Sequence, residues 1–174
     1  MNYFTFYDIP VSFSPNLATI RKQYYANSKK YHPDFYTLAT EDKKAEILQL
    51  ASLNNEAYKI LSDEDLRMKY ILESENILTT ENKNAIPPDF LMEMMDINEQ
   101  LMELEFDYNK ASFDTTKNEM QNIENQLDAS VKSILSQEDI KASSSSELLE
   151  VKNYYLKKRY ILRIQEKLST FASR

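Results

Sequence analysis

Not one of the 174 residues is glycine. Average usage is about 7%, which would place roughly a dozen in a chain of this length. Without them the Gly-rich loops of P-loop and dinucleotide folds are excluded, because those backbones need glycine to turn and to approach a phosphate closely. Tight hairpins of the primed types, which want Asn-Gly or Gly-X, are disfavoured for the same reason. With no Trp and only five Pro as well, the chain reads as nearly all helix. Its 42% apolar content is enough for a real core.

The other absences narrow the chemistry. There is no Cys and a single His. That excludes disulfides, thiol nucleophiles, zinc ribbons and protein-ligated iron–sulfur clusters. It also leaves little for a metal site or a catalytic triad, so no metal, no other cofactor and no catalytic residue are expected. Lys and Arg number 21 against 28 Asp and Glu, a net charge of −7, which argues against nucleic acid or an anionic membrane as a partner of the whole chain. The opening residues Met1 to Asp8 lack the basic and apolar regions of a signal peptide and the Arg-rich character of a transit peptide. No run approaches the roughly 18 apolar residues of a membrane span. The expectation is a soluble, cytoplasmic protein.

Two parts separate around Thr79-Thr80-Glu81-Asn82-Lys83-Asn84-Ala85-Ile86-Pro87-Pro88, a polar stretch closed by two prolines that no helix can run through. The expected organisation is an N-terminal domain over 1–76, a linker over 77–88 and a C-terminal domain over 89–174. Residues 1–76 hold 9 basic and 11 acidic residues, and the remainder 12 and 17, so the acidity belongs mostly to the second part. In the first part a short element over Tyr3 to Ile9 precedes Ser14-Pro15, which reads as an N-cap followed by a proline at the first helical position. That helix runs through Leu17, Ile20, Tyr24 and Tyr31 and stops at Pro33, with a loop over 35–40. A third helix spans about Asp42 to Leu61 with Ile47, Leu50, Ala51, Ala57, Tyr58 and Leu61 at helical spacing. Ser62-Asp63 ends it and caps a short fourth helix. The second part reads as three helices: one from Asp89 to about Lys110, one carrying Met120, Ile123, Leu127, Val131 and Ile134, and one from Glu147 to Phe171 after a loop at Ser143 to Ser146. Joined by short loops, they form an antiparallel bundle.

The lone histidine lies in Tyr31-His32-Pro33-Asp34, directly after a helix carrying Arg21, Lys22, Lys29 and Lys30. From Asn16 to Tyr31 there are four basic residues and no acid, a local reversal of sign in a net acidic chain. A basic helix ending in a proline-stiffened turn that presents an imidazole and a carboxylate suits docking against an acidic partner, with Asp34 available to an arginine. Taken singly these residues carry less: surface lysines are ordinarily a solvated face, and a histidine at a helix end ordinarily donates to the last carbonyls.

In order and spacing these features resemble the J-domain of DnaJ-type co-chaperones. The resemblance covers residues 1 to about 76: Tyr3-Phe4, Ile20-Arg21-Lys22-Gln23-Tyr24, Lys29-Lys30-Tyr31-His32-Pro33-Asp34, Asn55-Glu56-Ala57-Tyr58-Lys59-Ile60-Leu61-Ser62-Asp63, then Arg67 and Tyr70. It implies an antiparallel helical hairpin with short flanking helices. It further implies that His32, Pro33 and Asp34 trigger the ATPase of a DnaK-type chaperone, while Arg21, Lys22, Lys29 and Lys30 make the electrostatic contact. The chain departs from the family at Phe35 and Tyr36, where a basic residue is usual, at Asn54, where an aliphatic residue is common, and at Asp8, where many relatives carry glycine.

The helix beginning at Asp89 carries two faces. Phe90, Met94, Ile97, Leu101, Leu104 and Tyr108 advance by four and three, which at about 100° per residue makes one narrow core stripe. Leu91, Met92, Met95 and Met102 fall on the other side, among Asp96, Glu99 and Glu103. An apolar patch rimmed by acids marks an interaction surface, and methionine suits a surface that adapts to its partner. The competing reading packs this face on the first domain or on another bundle helix.

The whole chain resembles the HscB-type co-chaperones of iron–sulfur cluster assembly, through Asn2 to Pro10, Arg67-Met68-Lys69-Tyr70-Ile71-Leu72 and Phe90-Leu91-Met92-Glu93-Met94-Met95-Asp96. The resemblance implies an all-α protein, a J-domain plus a C-terminal three-helix bundle. The bundle would bind an IscU-type cluster scaffold through Leu91, Met92, Met95, Asp96, Glu99, Glu103 and Tyr155, and deliver it to an HscA-type chaperone. It implies a monomeric adaptor that handles clusters without ligating one and is no enzyme. Two alternatives share the same sequence features: a general J-domain co-chaperone with another client, and a homodimer through the methionine face.

Overall fold

The computed structural model describes residues 2–79 and 85–171; positions 80–84 of the expected linker lie outside the described residues. Among the described residues every regular element is helical. By contacts the chain divides into two units, Met1–Ser74 with Leu135–Ser143, and Glu75–Ile134 with Ser144–Arg174.

In the first unit, α1 spans Tyr3–Phe6 and is capped by the Asn2 side chain, which accepts from the Phe4 N–H at 2.8 Å. Helix α2 (Leu17–Lys30) and α3 (Glu41–Ser62) form the antiparallel hairpin. The start of α2 differs from the Ser14-Pro15 expectation. Asn16 is its cap, accepting from both Ala18 and Thr19 N–H groups, because an Asx side chain on an extended residue reaches the second and third amides of the helix. The hairpin is held at its waist by Tyr24 stacked on Tyr58, with ring centroids 4.3 Å apart, and by Asn54.

Asn54, expected to interrupt the apolar stripe, is 1% exposed. Its amide donates to Tyr24 O at 3.1 Å and Ser28 Oγ at 3.0 Å, while its backbone carbonyl accepts from Tyr7 OH at 3.0 Å. Its Oδ1 meets no donor among the described residues. Burial pushes the Tyr7 phenol well above the usual tyrosine value, with Tyr24 and Tyr58 adding to the shift.

Asp63 ends α3 and accepts from Leu66 N–H at 2.8 Å, capping α4 (Glu64–Ser74) as expected. Arg67 on α4 is buried; Nε donates to Phe13 O at 2.9 Å and Nη1 to Leu61 O at 2.8 Å. Desolvation lowers its pKa, although Glu64 and Asp63 work against the shift. The chain before α2 also receives Leu135–Ser143: Ile140 N–H donates to Val11 O, and Ser12 Oγ to Gln137 O, both at 2.8 Å.

The second unit consists of α5 (Pro88–Phe106), α6 (Lys110–Leu135) and α7 (Ser145–Ser169), the last residue of α6 falling in the first unit. Phe90, Met94, Ile97, Leu101 and Leu104 of α5 meet Phe113 and Met120 of α6 and Ile161, Ile164 and Leu168 of α7 in one core. Helix α5 ends sooner than expected, at a cap on Asp107. Tyr108 therefore lies in the turn, still packed against the core, and Asn109 caps α6 by accepting from Ala111 and Ser112 N–H groups. The serine run is not all loop. Ser144 and Glu147 form a reciprocal capping box, so Ser145 and Ser146 belong to the first turn of α7.

Polar pairs set the helix order. Gln100 on α5 is bonded to Thr116 and Glu119 on α6, and Lys158 on α7 bridges Glu124 at 2.9 Å and Asp128 at 2.7 Å on α6. Rising numbers on one helix meet falling numbers on the next, so consecutive helices are antiparallel. Around Lys158, Tyr154 OH also donates to Asp128 and Gln165 to Glu124.

Two predictions follow from these buried polar groups. Replacing Asn54→Leu relieves one unpaired oxygen but removes both hydrogen bonds that the buried amide makes across the hairpin, so stability should fall by about 1 kcal/mol; urea unfolding checks it, and a rise of that size refutes it. For Lys158, desolvation works to lower the pKa, but hydrogen bonds to Asp128 and Glu124 outweigh it and the net shift is upward. A raised folded-state value means this contribution is complete below the usual lysine value of 10.5 and is lost as pH climbs through the folded value. Because Lys158 is only half-buried and Asp128 half-exposed, Lys158→Met should cost about 1 kcal/mol at neutral pH and flatten the stability profile above that value.

Candidate functional site

Two surfaces carry the chemistry singled out in the sequence. The first is built where α2 gives out. Tyr31 closes α2 by donating its N–H to Asn27 O at 2.8 Å, and the chain then extends at His32. Pro33 opens a 3-10 turn, Pro33–Tyr36. His32 is not a donor to the end of α2. Its Nδ1 accepts from the Asp34 N–H at 3.3 Å, which makes it the N-cap of the turn it precedes. Proline lacks an amide, so the first donor the cap can satisfy is that of Asp34. Tyr36 OH donates to Lys30 O at 2.9 Å and ties the turn back to α2. The result presents His32, Pro33 and Asp34 together, all exposed, with Asp34 Oδ2 3.7 Å from His32 Nδ1.

Arg21, Lys22, Lys29 and Lys30 are likewise exposed. At about 100° per residue, Arg21, Lys22 and Lys29 occupy one face of α2 and Lys30 lies further round. There its ammonium sits 5.2 Å from the Tyr31 ring centroid, a cation–π distance. Among the described residues none of the four is in an ion pair, so their charge is available to a partner. Phe35, in the place of the family's basic residue, is 68% exposed, its ring 5.7 Å from that of His32.

The second surface is the outer face of α5. The core stripe is buried as its spacing requires, which turns Leu91, Met92, Met95, Asp96, Glu99 and Glu103 outward together; Met95 is 66% exposed. Among the described residues of the second unit no other helix covers this face. Tyr155 is not part of it. It is 4% exposed, its hydroxyl accepts from Arg159 Nη1 at 2.7 Å, and the Arg159 guanidinium lies over its ring. Leu148, Val151 and Tyr155 advance by three and four, the spacing of one helical stripe, and all three are buried; the period of α7 is the signal that sets Tyr155 apart from the α5 face. Phe106, absent from the expected set, is exposed at the end of the same α5 face. The i, i+4 step from Met102 reaches it directly.

Among the described residues no group of three or more His, Asp or Glu side chains is placed to hold a metal, and no helix is long and apolar enough to cross a membrane.

A His-Pro-Asp turn on an antiparallel helical hairpin, with a separate three-helix unit after it, defines a two-part J-domain protein of the co-chaperone class. Residues 5–70 match the DnaJ domain and residues 86–169 the HSCB C-terminal oligomerisation domain. Co-chaperone protein HscB homologs are similar in sequence. That of Vibrio cholerae serotype O1 is 33% identical over 102 residues, and that of Bordetella avium 34% over 101, each match covering 58% of this chain and 60% of the relative. The chain thus matches about three fifths of the length of these curated relatives. Chaperone HscB from Vibrio cholerae has the same fold, with a TM-score of 0.74 at 24% identity over 99% of this chain and 98% of that one. Human co-chaperone HscB superposes with a TM-score of 0.69 at 26% identity, over 98% and 81%. In the order of its two matched domains and in its fold, the chain is similar to the HscB-type J-domain co-chaperones.

The burial of Tyr155 separates its role from that of the α5 face. Tyr155→Ala should destabilise the chain by about 3 kcal/mol, whereas Met95→Ala should stay within about 0.5 kcal/mol of the parent. Urea unfolding of the two variants checks this, and equal stabilities would place Tyr155 on the surface instead.

Proposed function

We propose that this chain is an adaptor in iron–sulfur cluster assembly. Its J-domain docks on an HscA/DnaK-type chaperone and stimulates ATP hydrolysis there, while its bundle holds an IscU-type scaffold protein as the client. The observation that carries the reading is the pairing, in one chain, of two exposed surfaces of opposite character: a basic helix ending in His32-Pro33-Asp34 and an apolar, acid-rimmed face on α5. The chemistry of hydrolysis belongs to the chaperone, so this chain supplies contacts rather than catalytic groups.

On the chaperone side, Arg21, Lys22 and Lys29 steer and hold an acidic surface. The turn then places Asp34, a charge fixed on a stiff backbone, where a partner arginine can take it bidentately. His32 contributes by capping that turn; its imidazole fixes the Asp34 amide and therefore the direction of the carboxylate. On the client side, Leu91, Met92 and Met95 supply the apolar contact, with flexible methionines fitting a surface that changes shape. Asp96, Glu99 and Glu103 set register and suppress wrong partners.

The two surfaces should fail independently. His32→Gln is expected to abolish ATPase stimulation while scaffold affinity, measured by calorimetry, is unchanged. Replacing Leu91, Met92 and Met95 together by Ser is expected to weaken scaffold binding by about a hundredfold, as loss of an interface hot spot does, with stimulation intact. If each variant loses both activities while keeping its unfolding midpoint, the two-surface reading is wrong.

A further inference from the structure

The outer face of α5 is the floor of an open groove of about 1020 Å³ that reaches beyond the residues implied by the family resemblance. Leu91, Met95, Met102 and Phe106 recur at steps of four, seven and four. At 100° per residue they fall within about 60° of arc, and at 1.5 Å per residue the strip is about 22 Å long. Its two banks differ. On one side Asn98 donates to Tyr160 OH of α7 at 3.0 Å and to Met94 O at 2.7 Å, which makes a fixed neutral wall. On the other, Asp96, Glu99, Glu103 and Asp107 follow one another round the helix, and among the described residues none of the four is in an ion pair. Phe106 closes the far end with its ring 89% exposed.

We propose that this groove receives an apolar ridge of the client protein flanked on one side by lysine or arginine, and that Phe106 anchors it at the C-terminal end of α5. The proposal rests on the client-binding reading of α5 and lengthens that surface by a helical turn. Several observations favour this occupant. A large aromatic ring left in water beside a groove is the type of residue that dominates interface energetics once covered. The unpaired carboxylates, all on one bank, ask for cations on one edge of the partner and so fix the direction in which it lies. They repel nucleic acid and anionic lipid. A second copy of the same face would bring four more carboxylates and no cation, leaving both sets unpaired.

The test uses the full chain and purified IscU-type scaffold, with affinity read by calorimetry at low and high salt. Phe106→Ser should weaken binding about tenfold or more, as loss of an aromatic anchor does, with the urea midpoint unchanged because the ring packs on nothing. Replacing Glu103 and Asp107 together by Lys should weaken it comparably and reduce its salt dependence. If Phe106→Ser binds within about twofold of the parent while Leu91 and Met95 to Ser abolishes binding, the extension is overturned and the client reading stands. If neither change matters, both fall. If Phe106→Ser leaves scaffold affinity intact but removes a concentration-dependent self-association seen by light scattering, the groove's occupant is a second copy and the proposal is overturned.

Discussion

Every turn in this chain has to be made without glycine, and the structure meets that constraint with side-chain caps. Asn2, Asn16, His32, Thr40, Asp63, Asn109, Asp139 and Ser144 each accept a backbone N–H at the start of a helical element. Such caps satisfy the orphan amides that a helix start leaves exposed. They also fix the direction of chain entry, which a glycine would leave loose. Where a left-handed residue is unavoidable, the chain places Asp8 (φ 53°) and Asn76 (φ 58°), the residue types that tolerate that region best after glycine. Helix α5 is the exception, opening on Pro87-Pro88 with no side-chain cap. Proline supplies rigidity there in place of a hydrogen bond.

The His-Pro-Asp turn is one instance of this general solution. His32 stands among the caps, doing locally what Asn16 and Ser144 do elsewhere, and the proposed chaperone contact is built on its geometry. A turn made this way is stiff at both ends: the imidazole holds the Asp34 amide, and the Tyr36 hydroxyl donates to the Lys30 carbonyl at the end of α2. Pre-organisation of that kind lowers the entropy lost on docking. A flexible glycine in the same place would present the same side chains at greater entropic cost.

Much of this was legible in the sequence wherever a residue's fate depends on period alone. The core stripe of α5 and its exposed opposite face follow from steps of three and four, and they lie as expected. What was not legible depends on competition between neighbours or on backbone groups. Ser14, Pro15 and Asn16 all suit a helix start, and only the extended backbone at Asn16 decides which one caps. Ser145 and Ser146 look like loop until Glu147 reaches back to Ser144 and draws them into α7. Tyr155 carries a polar tip and an apolar body, so its type alone fits either the surface or the core; its spacing from Leu148 and Val151 points inward, and Arg159 takes up the hydroxyl and lets the ring go in. The grouping of Leu135–Ser143 with the first unit rests on bonds between Ile140 and Val11 and between Ser12 and Gln137 that use backbone carbonyls. A carbonyl leaves no trace in side-chain sequence.

Charge is the last constraint to bear on function. The net −7 of the chain conceals an α2 with no acid between Asn16 and Tyr31 and an α5 whose outer bank is all acid. A partner complementary to α2 presents carboxylates, and laid on α5 it meets like charge over an apolar floor it cannot desolvate without penalty. A cationic client laid on α2 fails for the mirror-image reason. Discrimination between two partners is a difference of affinities, and repulsion at the wrong surface adds to attraction at the right one. On the proposed reading, opposite signs on the two faces would let one small chain hold two proteins without either competing for the other's surface, which is the physical requirement for an adaptor that passes a client to a chaperone.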